Sequence, residues 1–217
     1  MMTSRHDAPT VTISLPHERA VELASLLQYG IFCPVEGPQS VQSFLLVQPG
    51  LSRAYIEARV ETIFVNGLPV DCLEDTVAAG DTVALSAAMP GLAGAIFRRQ
   101  SLHAGLRSVP APGAQGAETV SPGETESSEC GYICLKLFNA VARDVAGPLL
   151  EKGVLLPARA LAQYAGRTAA GLPCRWNDEA VSWEAFVRLL QTTPRVFLRL
   201  QESERSYTGG EECNRRP

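Results

Sequence analysis

Between Ser101 and Glu129 the chain offers almost nothing to bury. Pro110, Pro112 and Pro122 alternate there with Gly105, Gly113, Gly116 and Gly123 among Ser, Thr, Ala and Glu. So little apolar surface cannot offset the entropy of ordering the backbone, and the stretch reads as a flexible linker. It divides the 217 residues into an N-terminal domain over 1–100, the linker over 101–129, a smaller C-terminal domain over 130–200 and a polar, flexible tail over 201–217. Each domain stands near the lower end of domain size.

Elsewhere the composition is that of a globular chain. It is 46% apolar and 19% charged, and 19 basic against 23 acidic residues leave a net charge of −4, which excludes disorder throughout and a general nucleic-acid coat. There is no apolar run of about 18 residues. Met1 to Pro9 is polar and lacks the apolar stretch of a secretory signal, so a cytoplasmic protein is expected.

The N-terminal domain opens with Thr10 to Leu15, whose period-two alternation of β-branched and polar residues predicts a strand. From His17 to Tyr29 the apolar positions fall at helical spacing and Gly30 stands where a helix ends. Ile31 to Cys33 is a short strand closed by Pro34. Ser40 caps a helix with Val41, Phe44 and Leu45 on its apolar face, and Ser52 to Val60 is a second short helix. Glu61 to Val65, Asn66-Gly67 and Leu68 to Val70 form a hairpin, because Asn and Gly both accept the positive φ of a type I′ turn. Ala79-Gly80-Asp81 turns the chain into a strand over Thr82 to Leu85.

After the linker a similar order returns. Tyr132 to Leu137 is a strand, Asn139 to Lys152 an amphipathic helix ended by Gly153, Val154 to Leu156 a strand stopped by Pro157, and Ala158 to Arg167 a helix. Cys174 to Val181 is a hairpin around Asn177-Asp178, Trp183 to Leu190 a helix and Arg195 to Leu200 a final strand. Superposing Phe64–Val70 on Arg175–Val181 puts both turns in register. Two halves on a related plan, or a convergence of common parts, give the same order.

The segment from Ser40 to Gly91 resembles the ubiquitin-like β-grasp proteins of the sulfur-carrier family, the small subunit of molybdopterin synthase and its thiamine-pathway relative. The likeness rests on Pro49-Gly50-Leu51, on Phe64-Val-Asn-Gly-x-Pro-Val70, on Gly80-Asp81-x-Val83-Ala84-Leu85 and on Ala87-Ala-Met-Pro-Gly91. It implies an α+β protein with a β-grasp N-terminal domain, and a protein partner from an adenylating-enzyme or a molybdopterin- or tungsten-cofactor pathway. A carrier of that family ends in a free diglycine, whose carboxylate is adenylated and thiolated. Here Gly91 is followed by Leu92, Gly94 is isolated and the chain runs on to Pro217. Gly209-Gly210 would become a diglycine end only after proteolysis. Gly50 to Val60 with the following hairpin also resembles the S4 RNA-binding module. Arg53 and Arg59 are outnumbered there by Glu57, Glu61, Asp71, Glu74, Asp75 and Asp81, and aromatic residues, 6% of the chain, are too sparse to suggest a stacking platform, so a nucleic-acid partner is not expected.

No catalytic motif is present: GxSxG, a P-loop, HExxH and a Rossmann GxGxxG are all missing. Cys33, Cys72, Cys130, Cys134, Cys174 and Cys213 show no CxxC spacing, Cys134 reads as a small buried apolar residue, and His6, His17 and His103 are far apart. Neither metal, cofactor nor catalytic residue is expected. What remains is Met89 to Phe97, an uncharged arm ending at Arg98-Arg99, in which Pro90, Gly91 and Gly94 should interrupt any helix. Exposed, it would dock on a protein partner or, with Arg98, Arg99 and Arg107, on an anionic surface. Met89, Pro90, Gly91, Leu92, Ile96, Phe97, Arg98 and Arg99 are the candidate partner-binding residues, and Asn66, Gly67, Gly80 and Asp81 the turns that frame them. The expected function is a non-enzymatic adaptor or interaction module. The alternatives are a sulfur-carrier precursor processed at Gly210 or Gly91, and an S4-like RNA-binding protein.

Overall fold

The computed structural model describes residues 8–107, 131–167 and 172–202. Most of the linker and tail, with Gly209-Gly210, Cys130 and Cys213, therefore lies outside the described residues. The chain begins with β1 (Thr10–Leu15), followed by a helix over His17–Tyr29 wound as 3₁₀, and β2 (Ile31–Val35). Next come the short β3 (Gln39–Ser40), α1 (Val41–Leu46) and α2 (Arg53–Arg59). Both α helices begin on a serine: Ser40 Oγ accepts from Ser43 N at 3.1 Å and Ser52 Oγ from Tyr55 N at 3.1 Å, caps worth about 1 kcal/mol each. The hairpin of β4 (Thr62–Val65) and β5 (Leu68–Pro69) precedes β6 (Thr76–Val77) and β7 (Thr82–Ser86). Then α3 (Gly91–Phe97) and a 3₁₀ turn at Ala104–Leu106 close the first stretch.

Beyond the linker lie β8 (Gly131–Phe138), α4 (Asn139–Lys152), β9 (Val154–Pro157) and α5 (Ala158–Arg167). The hairpin of β10 (Cys174–Trp176) and β11 (Glu179–Val181), then α6 (Trp183–Thr192) and β12 (Arg195–Glu202), complete the fold.

The fold is mixed α/β, built on a ten-stranded, mostly antiparallel sheet of order β11-β10-β1-β12-β9-β2-β8-β7-β4-β5, beside a small β3-β6 sheet. Strands from either side of the linker interleave. β1 pairs in parallel with β12 and antiparallel with β10, while β8 pairs in parallel with β7 and antiparallel with β2. The boundaries expected at 100 and 130 thus separate the chain in sequence, whereas the sheet runs through both parts, and residues 10–15 are not in contact with the Asn-Gly hairpin strands. The place beside β7 is taken by β8. One apolar cluster, from Val11 through Leu45, Leu85 and Leu137 to Leu200, underlies the whole sheet.

The hairpin strands, β2 with β9, and the two central helices obey an approximate two-fold relation. Asn66 N donates to Thr82 O at 2.8 Å and Asn66 Oδ1 accepts from Thr82 N at 2.8 Å. Asn177 makes the same two bonds with Thr10, at 2.8 Å each. Both asparagines sit at positive φ, 52° and 49°, as type I′ turns require. β1 therefore occupies in one half the place that β7 occupies in the other, and β1 and β8 are exchanged between the two parts of the chain. Gly30 (φ +97°) and Gly153 (φ +91°) lead into β2 and β9, and a Cβ on either would collide with Cys134 Sγ or the Phe197 ring. The halves meet at a single bridge, Phe32 to Leu155. Pro34 and Pro157, two residues beyond the bridge on each strand, continue those strands rather than stopping them, but their missing N–H groups cannot extend the seam.

Period-two alternation gives the sheet two unlike faces. Val11, Ile13, Ile31, Val83, Leu85, Leu135, Leu137, Val196 and Leu198 point into the core with α1, α4 and the 3₁₀ helix. The other face carries Phe32, Tyr132, Leu155 and Phe197, all partly exposed. Cys134 stands on this second face and is only partly buried, so it is not the core residue expected.

Candidate functional site

Asn66, Gly67, Gly80 and Asp81, chosen from sequence as two separate turns, come together at one end of β4 and β7. Asn66 Nδ2 donates to Asp81 Oδ1 at 2.7 Å, and Asp81 Oδ2 accepts from Ala78 N at 2.7 Å. Gly67 and Gly80 take φ of +80° and +94° with open space around them. Every polar atom of the pair is used in holding the turns, which leaves this cluster a frame for β7.

The arm that follows is helical. Pro90 lies just before the first turn of α3, where a missing N–H costs nothing, and Gly91 takes φ +75°. Gly94 sits inside the helix because the Met89 carbonyl packs where its Cβ would be. The expected interruption is thus a requirement of close packing. Phe97 meets Phe64 with centroids 5.5 Å apart. Arg98 Nη2 lies 2.6 Å from Glu61 Oε2, Arg99 N donates to Glu61 O at 2.7 Å, and Arg99 Nη1 to Val60 O at 3.3 Å.

Arg107, within the stretch expected to be linker, fastens the far end. It forks onto Asp71 and donates to Ile96 O at 2.9 Å and Arg98 O at 2.8 Å. That hydrogen bond holds the Asp71 carboxyl below its ordinary range, with help from Gln100 N and against the cost of burial. Arg107 was expected to stand with Arg98 and Arg99 beside the arm, but no sequence pattern joins it to Asp71. Tied at its middle and its far end, the arm exposes Leu92 (70%), Leu102 (101%) and Leu106 (63%), while Met89, Ala95 and Leu102 line a shallow hollow between α3 and the turn.

The other chemistry-bearing groups do not converge. Cys33 is buried and its thiol is pushed up to about 12 by desolvation; burial also raises Cys134 and Cys174. Such thiols are poor nucleophiles. Tyr55, raised first by burial and then by donating to Asp144 at 2.8 Å, joins α2 to α4. Among the described residues no group of His, Cys, Asp and Glu is arranged to hold a metal ion. No helix of the described residues is long and apolar enough to cross a membrane. A cleft of about 260 Å³ opens at the seam between β2 and β9, lined by Phe32, Cys33, Gln48, Tyr132, Lys152 and Leu155.

Comparison with protein-family models, with curated proteins and with solved structures finds no match.

Proposed function

We propose that the protein is a non-enzymatic interaction module on a β-grasp plan, whose docking surface is the arm over residues 89–107. The observation that carries this reading is the arm itself. Bulky leucines are turned to solvent on a segment pinned at its middle by Arg98 and Arg99 and at its end by Arg107, so the exposure of Leu102 and Leu106 is held between ion pairs and hydrogen bonds and that of Leu92 follows on the helix leading into them. The half-sheet β2-β8-β7-β4-β5 supports the β-grasp part: its parallel pair β8-β7 is flanked by antiparallel neighbours and packs over helix α4. The strand that completes it comes from beyond the linker.

The partner is a protein with an apolar seat for these leucines, and the resemblance to sulfur carriers points to an adenylating enzyme or a molybdopterin- or tungsten-cofactor protein. Processing at Gly91 would require release of α3, against the anchors just described. Photo-crosslinking from position 92 or 102 in the native host tests the proposal. One adenylating or cofactor-pathway protein should be captured, and Leu102→Glu with Leu106→Glu should abolish capture at unchanged circular dichroism. Capture that survives those substitutions, or an intact-mass spectrum showing a diglycine-ended or thiocarboxylate species, overturns it.

A further inference from the structure

The outward face of the large sheet differs in charge from the chain as a whole. Tracing the strand register from Phe32 across the sheet places Cys134, Tyr132 and Lys136 of β8 on this face, then Leu155 and Pro157 of β9. Arg195, Phe197 and Arg199 of β12 follow, then Thr10, Thr12 and Ser14 of β1 and Arg175 of β10. None of the ten strands puts an acid on it. The acids the strands carry, Glu179 and Glu202, pair with Trp176 and Leu15 and so take the opposite phase. In a chain of net charge −4, the strands keep both of their acids off this face; Glu151 and Asp178, whose carbonyls accept from Arg199 and Arg175, stand at its rim.

Rings are interleaved with these cations. Phe32 and Tyr132 meet edge to face at 6.3 Å, and the Arg195 guanidinium lies 4.3 Å above the Phe32 ring. Phe197 is the neighbour of Leu155 across the β12–β9 ladder, and Gly153 keeps its ring free of a Cβ. Arg195, Arg199 and Arg175 are exposed; Phe32, Tyr132, Phe197 and Lys136 are partly so. α3 reaches this face at the β4 end, through Phe97 on Phe64. From β8 to β10 the strip is on the order of 24 Å wide, at about 4.8 Å between strands.

The geometry points to a binding site for single-stranded nucleic acid on this strip, with bases stacked on Tyr132 and Phe197 and phosphates held by Lys136, Arg199 and Arg195, the last seated on the Phe32 ring. Flat rings offer stacking that any base satisfies, and cations between them track a phosphate backbone. The rings favour this ligand over an acidic peptide, which would use the cations alone. The expectation against nucleic acid rested on the acids that outnumber Arg53 and Arg59 over residues 50–81, a different surface, and on aromatic residues making up only 6% of the chain; the strand register gathers three of those few rings on one face. This site is separate from the arm proposed above.

Fluorescence anisotropy of the full chain with labelled twelve-nucleotide oligo-U and oligo-dT tests it, the pair of probes telling RNA from DNA. Micromolar binding at 50 mM salt is expected, with a log–log salt slope of about −2 for some three phosphates. Lys136→Gln with Arg195→Gln should flatten that slope by more than half. Tyr132→Ala should weaken binding about five- to a hundredfold with the slope unchanged, the range reported for lost base stacking. Arg53→Gln with Arg59→Gln is the control and should change nothing. Circular dichroism checks each variant, and Phe197→Leu replaces Tyr132→Ala if that one misfolds. No binding at 50 mM salt, equal competition by a polyglutamate of matched charge, or loss of binding in the control variant overturns the proposal.

Discussion

At the residue scale, Asn66 and Asn177 show how one side chain fixes a register. Each uses its backbone N–H and its amide oxygen to satisfy the C=O and the N–H of one residue on a neighbouring strand, Thr82 in one half and Thr10 in the other. Thr62 shows the opposite. It is 1% exposed on the outward phase of β4, and its Oγ1 has no partner among the described residues. A buried hydroxyl that gives up water and gains nothing destabilises the fold. Thr62→Val keeps the shape and removes the unpaired oxygen. It should raise stability by about 1 kcal/mol, read as a higher urea midpoint at unchanged slope. A lower midpoint would mean that the hydroxyl is satisfied after all.

At the element scale, what was legible in the sequence was what is local. The alternation of Thr10–Leu15, the serine caps, the Asn-Gly and Asn-Asp turns and the run from Asn139 to Lys152 each carry their signal within a few residues, and each element forms where expected. The helix in the arm was not legible, because Gly94 reads as a breaker unless the Met89 carbonyl that packs against it is known. Nor was the Asp71–Arg107 pair, which lies 36 residues apart with no periodic pattern joining its members. The outward cation strip was hidden for the same reason: its members come from strands that only the register brings side by side.

That pair makes the arm sensitive to acid. The Asp71 carboxyl titrates below its ordinary 3.8 in the folded state, so its contribution is complete above that value and is lost as pH falls below it through the folded pKa. After correction for intrinsic exchange, amide protection of Arg99 and Gln100 should fall as pH drops below 3.8. Asp71→Asn should show the lowered protection already at pH about 7. Unchanged protection in that variant at neutral pH would leave the arm's order to Arg98 and Arg99.

At the scale of the whole molecule, the exchange of β1 and β8 decides how the chain can come apart. β1 has no sheet partner within residues 8–107; its neighbours β10 and β12 come from the other side of the linker. β8 lies between β2 and β7, both from the first part. Separated, each part would expose strand edges and lose the far wall of a shared core, which makes either fragment alone a poor folder and a candidate for aggregation. Mixed, they can close every ladder, because the covalent link through 108–130 adds none of the pairings among the described residues. Fragments 1–107 and 131–217, expressed separately and mixed from denaturant, should therefore elute as one heterodimer with the circular dichroism of the intact chain. Either fragment alone should lack a cooperative urea transition. Two fragments that each unfold cooperatively by themselves would mean that the halves are independent domains and that the interleaved sheet is not what holds them.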